Sequence, residues 1–228
     1  MIEIIVISGG MFCGKTEDLI GRLRRARAAD KRMLVLKQKE DTRTGEEIVA
    51  RAKDLTNNFK PVDEFPAFPI GSREELESLF KKFNPEVLAI DEGQFFKKWL
   101  FEFVTDLREN RREILILVAG LDMDAWGKPF EIMSLFMGIA TYVDKKKAIC
   151  FRCKKEEAIM TQKKTAGSGQ RIEIGDAEIY EARCLKCWTP PPEENNENHY
   201  PYELKKLELK APFDKLRGLF ILNKIFFS

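Results

Sequence analysis

An apolar run, "IEIIVI" (2–7), leads straight into "SGGMFCGKT" (8–16), which is followed by "EDLIGRLRRARA" at helical spacing. Strand, glycine-rich turn and helix, in that order, constrain this chain more than any other stretch. Gly9, Gly14, Lys15 and Thr16 satisfy the pattern GxxxxGK(S/T) completely. Glycines there let backbone N–H groups converge on phosphate oxygens where a Cβ would collide. The helix starting near Lys15 adds the positive end of its dipole. Lys15 is then placed for the β- and γ-phosphates, and the Thr16 hydroxyl for Mg²⁺. Gly9, Gly10, Met11, Phe12, Cys13, Gly14, Lys15 and Thr16 are therefore the candidate triphosphate loop, with a chance glycine turn as the alternative. Cys13 reads as a small side chain in that loop, with a reactive thiol as the other reading.

Three further runs share the character of the first: "RMLVLK" (32–37), "EVLAID" (86–91) and "EILILVAG" (113–120). Each is nearly continuous in branched apolar residues, as strands buried on both faces of a parallel sheet require. Helical patterns lie between them at 15–29, 72–83 and 97–110, and Ser72 with Glu75 has capping-box spacing. The alternation predicts an α/β fold, a P-loop NTPase-like parallel sheet flanked by helices. We expect this domain over 1–147, a small cysteine-bearing domain over 148–188, and a linker with a C-terminal extension over 189–228. The stretch "RIEIGDAEIY" (171–180) alternates like a strand within the second of these.

"VLAIDEGQFF" (87–96) puts Asp91 and Glu92 at the end of a buried strand, where open α/β sheets gather their ligands. Asp91 is a candidate to steady Mg²⁺ opposite Thr16. Glu92 has two roles open to it: orienting a water for hydrolysis, or taking a proton from a substrate hydroxyl. Gly93 and Gln94 complete the candidate cofactor-binding set.

"CFRC" (150–153) and "CLKC" (184–187) are two CxxC pairs, thirty residues apart. Cys150, Cys153, Cys184 and Cys187 suit a tetrahedral, structural Zn²⁺ site with no open position for water. Redox pairs and plain buried cysteines are the alternatives. Paired cysteines of this kind fit a reducing cytoplasm better than disulfides. No run approaches the ~20 apolar residues of a membrane span, and "MIEIIVISGG" has neither the charged start nor the cleavage site of a signal peptide. A cytoplasmic chain with no membrane partner is expected. Lys and Arg total 39 against 37 acidic residues, so at +2 no overall field draws it to nucleic acid. The local cluster "RLRRARAADKR" (22–32) reads as a solvated helix face. It also supports one rival reading, a nucleic-acid-binding P-loop ATPase with a zinc ribbon.

With "GGMFCGKT", "LKQKEDTR" (36–43), "DEGQFF" (91–96), "GLDMDAWGKPF" (120–130) and the paired cysteines in place, residues 1–188 resemble the zinc-containing thymidine kinases. The resemblance implies ATP-dependent phosphorylation of the thymidine 5′-hydroxyl, with Glu92 as the base and Mg²⁺ at the phosphates. It implies that 148–188 is a lasso, a lid anchored by zinc, clamping the base through its main chain. Met11, Phe95, Trp126 and Tyr180 would then line the base pocket, with Thr161 beneath it. Arg171, Ile172, Glu173, Ile174 and Gly175 would run along its edge. A homotetramer inhibited by thymidine triphosphate is also implied.

The chain departs from that family in three places. An aromatic and then a basic residue are usual where Ala125 and Trp126 stand, which leaves Trp126 as the substitute ring or the pocket looser. A His-Asp pair usual after the second strand is replaced by "IVARAKDL" (48–55), and the tail beyond 188 is long. Its last stretch, "GLFILNKIFFS" (218–228), is too short to span a membrane and is expected to dock on the body or on a second subunit, with disorder or peripheral membrane contact as the alternatives.

Overall fold

Continuous apolar runs need cover on both faces, and the architecture supplies it. The computed structural model describes residues 2–40, 45–53, 59–110, 113–164 and 177–191. In chain order the first elements are β1 (Ile2–Gly9), α1 (Lys15–Ala28), β2 (Met33–Gln38), β3 (Glu47–Lys53), β4 (Phe59–Pro66) and β5 (Phe68–Ile70). They are followed by α2 (Arg73–Phe83), β6 (Val87–Ile90), α3 (Lys98–Glu109), β7 (Ile114–Leu121), α4 (Glu131–Ile139) and β8 (Tyr142–Lys146). Six of these strands pair in parallel, in the order β5-β2-β6-β7-β1-β8. The fold is α/β, as expected.

Strand residues alternate between two apolar clusters. Ile4, Val6, Leu36, Leu88, Ile116 and Val118 pack against Leu76, Phe103, Met133 and Phe136, which α2, α3 and α4 supply. The alternate positions Ile7, Val35, Ala89 and Leu117 face Leu19, Ile20 and Leu23 of α1. Phe136 is fully buried, and truncating such a phenylalanine to alanine costs about 3–5 kcal/mol. Helix α2 starts where its capping pattern predicts, with Ser72 Oγ accepting from the Glu75 amide at 3.3 Å. It ends on Asn84 in the left-handed conformation, φ 41°.

Five of these elements lie outside the patterns read from the sequence. The antiparallel pair β3 and β4 occupies the stretch containing "IVARAKDL" and packs Ile48, Ala50 and Phe65 beside α1. Its other positions mix charged residues such as Arg51 and Glu64 with the exposed Val62, so no long apolar run marks it. Strand β5 has only three residues. Strand β8 is an edge, with Tyr142 61% and Val143 45% exposed, and so lacks the buried signature. Helix α4 is nine residues long and follows a loop rather than a marked cap.

Beyond β8 come β9 (Ala148–Ile149), β10 (Glu157–Ala158), β11 (Met160–Lys163) and β12 (Tyr180–Arg183). They form two small antiparallel pairs, β9 with β10 and β11 with β12. Of the strand expected over 171–180, residues 177–179 form a turn and Tyr180 opens β12, opposite Lys163. Residues 171–176 and the tail from 192 onward lie outside the described residues. No helix among the described residues is long and apolar enough to cross a membrane.

Candidate active site and cysteine cluster

Strand β1 ends in a turn that only glycine fits. Gly9 has φ 144°, and a Cβ there would stand 2.4 Å from the Lys146 carbonyl oxygen and 2.9 Å from Cys13 Sγ. Phe12 takes a left-handed φ of 63° and Gly14 one of 78°. Gly14 is the N-cap of α1 and supplies no side-chain cap, so the amides of that end are left for a ligand. Cys13 is buried and its Sγ donates to the Gly10 carbonyl at 3.0 Å. Lys15 Nζ donates to the same carbonyl at 2.7 Å.

Two strands away, Asp91 follows β6 and is 7% exposed. The Thr16 hydroxyl reaches both its oxygens, at 3.3 and 3.4 Å. Glu92, half-buried, is in the left-handed conformation with φ 50° and ψ 46°. For a residue with a side chain this costs of order 1–3 kcal/mol, held by its surroundings. Gln94 Nε2 donates to Glu92 Oε2 at 2.6 Å.

The residues expected at the base pocket gather around the β11–β12 pair. The Thr161 hydroxyl, 5% exposed, accepts from the Met11 backbone amide at 3.1 Å. Tyr180, 8% exposed, lies opposite Lys163 in register. Lys163 Nζ stands 5.9 Å from the centre of the Trp126 ring. The Trp126 turn is built on Asp124, whose Oδ1 accepts from the amides of Trp126 and Lys128 at 3.0 and 2.9 Å. Ala125 is buried, and Trp126, not Ala125, presents the half-buried ring. Phe95 is half-buried on the short 3-10 turn Gly93–Phe95. Arg171, Ile172, Glu173, Ile174 and Gly175 lie outside the described residues, as do Asp41, Thr42 and Arg43.

Sequence reasoning passed over three side chains here. Lys163 is 8% exposed, deep for a lysine. Trp188 donates Nε1–H to the Ala125 carbonyl at 3.2 Å, tying the second cysteine pair to the Trp126 loop. Asp122, just past β7, is 2% exposed and neither of its oxygens receives a hydrogen bond among the described residues. Lys145 Nζ is 3.0 Å from Asp122 Oδ2 but out of line for a hydrogen bond, so it acts as a nearby charge. Asp122 shares the signal that singled out Asp91: a carboxylate ending a buried strand.

Cys150, Cys153, Cys184 and Cys187 come together with their sulfurs within 4.8 Å of one another. Each knuckle is folded by its own backbone: Lys154 N donates to Cys150 O at 2.9 Å and Cys187 N to Cys184 O at 3.0 Å. Lys154 adopts φ 59° to close the first. Cys153 and Cys184 sulfurs are 4.0 Å apart, near the roughly 3.8 Å edge of a tetrahedron with Zn–S of about 2.3 Å. Burial pushes the Cys150 thiol up, but the amides of Cys153, Cys184 and Arg152 outweigh it and bring it down to about 6. Cys187 is pushed up to about 12, first by its hydrogen bond to Cys184 and then by burial. Cys153 is also held below its ordinary value, first by the backbone amides of Lys155 and Glu156. Four ligating thiolates crowded together need a dication to balance their charge. The donor set fits a structural zinc ion. Phe12 of the phosphate loop packs on Phe151 of the first knuckle, ring centres 5.4 Å apart.

A loop threonine bonded to a strand-end aspartate, below a helix with open amides, is how P-loop proteins hold nucleotide phosphates and their cation. This chain is an α/β protein of that class. A family model described as Thymidine kinase matches residues 2–188. The chain is 40% identical over 189 residues to the thymidine kinase of Bdellovibrio bacteriovorus, covering 83% of this chain and 85% of that one. It is 39% identical over 188 residues to the thymidine kinase of Rhodothermus sp., covering 82% of each chain. To the thymidine kinase of Mycoplasma mobile it is 36% identical over 185 residues, 81% of this chain and 86% of that protein. The chain belongs to the thymidine kinase family.

Proposed function

We propose that this chain transfers the γ-phosphoryl group of ATP to the 5′-hydroxyl of thymidine. The observation that carries the reading is the bonding of Thr16 to Asp91 with Glu92 next in sequence. It supports a phosphate site with a carboxylate beside it at the strand ends. The backbone amides of 9–16 cradle the phosphates, and Lys15 leaves its Gly10 carbonyl for them. Thr16 and Asp91 would hold Mg²⁺, which when bound neutralises phosphate charge. Glu92 takes the proton of the 5′-hydroxyl as that oxygen attacks the γ-phosphorus and ADP departs. Met11, Trp126, Thr161 and Tyr180 enclose the base, with Phe95 a further wall. Cys150, Cys153, Cys184 and Cys187 hold zinc and anchor the 148–188 segment as a lid.

The rival, a nucleic-acid-binding ATPase, loses its main support because most of the basic cluster over 22–32, which runs past the end of α1 at Ala28, is paired. Arg22 pairs with Asp18 and Asp144, Arg24 with Asp63, and Lys31 and Arg32 with Glu86. Arg27 lies over the Phe65 ring at 4.2 Å. Beyond the reaction, we extend to this chain a cytoplasmic homotetramer inhibited by thymidine triphosphate. Light scattering and inhibition kinetics test that extension.

Steady-state rates with Mg-ATP across a nucleoside panel, beside Glu92→Gln, test the function. Thymidine should be the best acceptor, and the variant should bind ATP yet lose transfer by roughly two to four decades. Parental rates in Glu92→Gln would overturn the base. Turnover that needs DNA or RNA instead of a nucleoside would restore the rival.

A further inference from the structure

Gln94 is 5% exposed, and both ends of its amide are engaged within the chain. Oε1 accepts from the backbone N–H of Leu121, the last residue of β7, at 2.8 Å. Nε2 donates to Glu92 Oε2 at 2.6 Å. The orientation of the amide follows from chemistry. A backbone N–H only donates, so the oxygen must face Leu121, which leaves the NH₂ for the carboxylate.

Two glycines make room for this bridge. A Cβ on Gly120 would lie 2.8 Å from Gln94 Oε1 and 2.7 Å from Met133 Sδ. One on Gly93 would lie 3.0 Å from both Met133 Sδ and Val118 Cγ1. Glu92 itself stands on a left-handed turn, a strained backbone that its surroundings must hold in place. A short bond from a neutral amide to an ionised carboxylate is of the charge-assisted, stronger kind.

We infer that Gln94 is a positioning residue for phosphoryl transfer: it clamps the Glu92 carboxylate to the end of β7, so that the base meets the substrate hydroxyl in a single orientation. The inference rests on Glu92 being the proton acceptor. The sequence put Gln94 in the cofactor-binding set; with both ends of its amide spent on Glu92 and Leu121, it acts on the reaction through Glu92. Removing it should therefore lower kcat and leave both KM values nearly unchanged. A hydrogen bond to a charged group sets the scale at roughly ten- to hundredfold.

The experiment is a double-mutant cycle on the full chain, with Glu92→Gln, Gln94→Met and the pair, reading kcat and both KM values. Gln94→Glu is run alongside at alkaline pH. It keeps the length of the side chain and the acceptor for Leu121 while withdrawing the donor from Glu92, so a folding defect in the methionine variant does not decide the matter. We expect Gln94→Met and Gln94→Glu each to lose roughly ten- to hundredfold in kcat, and Gln94→Met to cost nothing further once Glu92 is glutamine. An equal loss from Gln94→Met in both backgrounds, or parental kcat in Gln94→Glu, overturns the clamp while the base assignment stands. Parental kcat in Glu92→Gln overturns the base assignment, and the clamp with it.

Discussion

The Thr161 hydroxyl accepts the Met11 amide at 3.1 Å, a bond between residues 150 positions apart that ties β11 to the phosphate loop. Met11 thus presents its backbone to one segment while its side chain is a candidate wall of the nucleoside pocket. Gly10 reinforces the contact, because a Cβ there would lie 3.4 Å from the Ile159 carbonyl oxygen. The phosphate loop and the candidate nucleoside pocket therefore share a mechanical joint.

Thr161→Val keeps the shape and removes the acceptor. We expect KM for both ATP and thymidine to rise roughly two- to tenfold, with stability lower by about 1 kcal/mol. A change confined to thymidine would mean that Thr161 acts only at the base and that the joint carries nothing.

The cysteine cluster predicts a metal-dependent architecture. Purified chain should carry roughly one zinc ion, and Cys184→Ser should bring the metal content close to zero. Trp188 follows the second pair directly and donates to the Ala125 carbonyl, so its fluorescence should change on metal removal, and KM for thymidine should rise. Full activity and unchanged emission in metal-free Cys184→Ser would contradict a structural role.

A pH dependence follows from Asp18, in the first turn of α1. Lys146 Nζ meets its Oδ2 at 2.6 Å and Arg22 Nε its Oδ1 at 3.0 Å. Burial acts to raise this carboxyl, but the hydrogen bonds from Lys146 and Arg22 together hold it below its ordinary 3.8. A lowered folded-state value means the contribution is complete above the usual carboxylate range and is lost as pH falls through that lowered value. Lys146 is raised above 10.5, chiefly by its bond to Asp18, so its share is present at neutral pH and fades only as pH climbs through the raised value. Asp18→Asn should flatten the acid limb of the Tm–pH curve. An acid limb identical to the parent's would show that the pair does not couple to folding.

Much of this was readable from the chain, because local chemistry dictated it. Buried parallel strands demand continuous apolar runs, and "IEIIVI", "MLVLK", "VLAI" and "ILILVAG" carry them. A phosphate loop demands glycines at fixed spacing, and Gly9 has no room for a Cβ. Paired CxxC turns fold on their own backbone, so their spacing alone pointed to a cluster, and the four sulfurs do lie within 4.8 Å of one another. The elements that escaped notice are mostly those whose apolar content is split between a packed and a wet side. The β3–β4 pair and the edge strand β8 have no sharp signature until a neighbour covers one face, while the nearly all-apolar α4 is too short and lacks a marked cap.

Long-range partnerships were a different matter. Nothing in "DEGQFF" says that Gln94 reaches Leu121, that Lys163 stands over Trp126, or that Trp188 holds the Ala125 carbonyl. Residue type and spacing encode what one segment can do by itself: turn, strand, helix or a pair of metal ligands. Which distant segments meet depends on how the sheet is ordered and which faces its helices cover. Those contacts are made by packing the whole domain at once, and only the folded chain displays them.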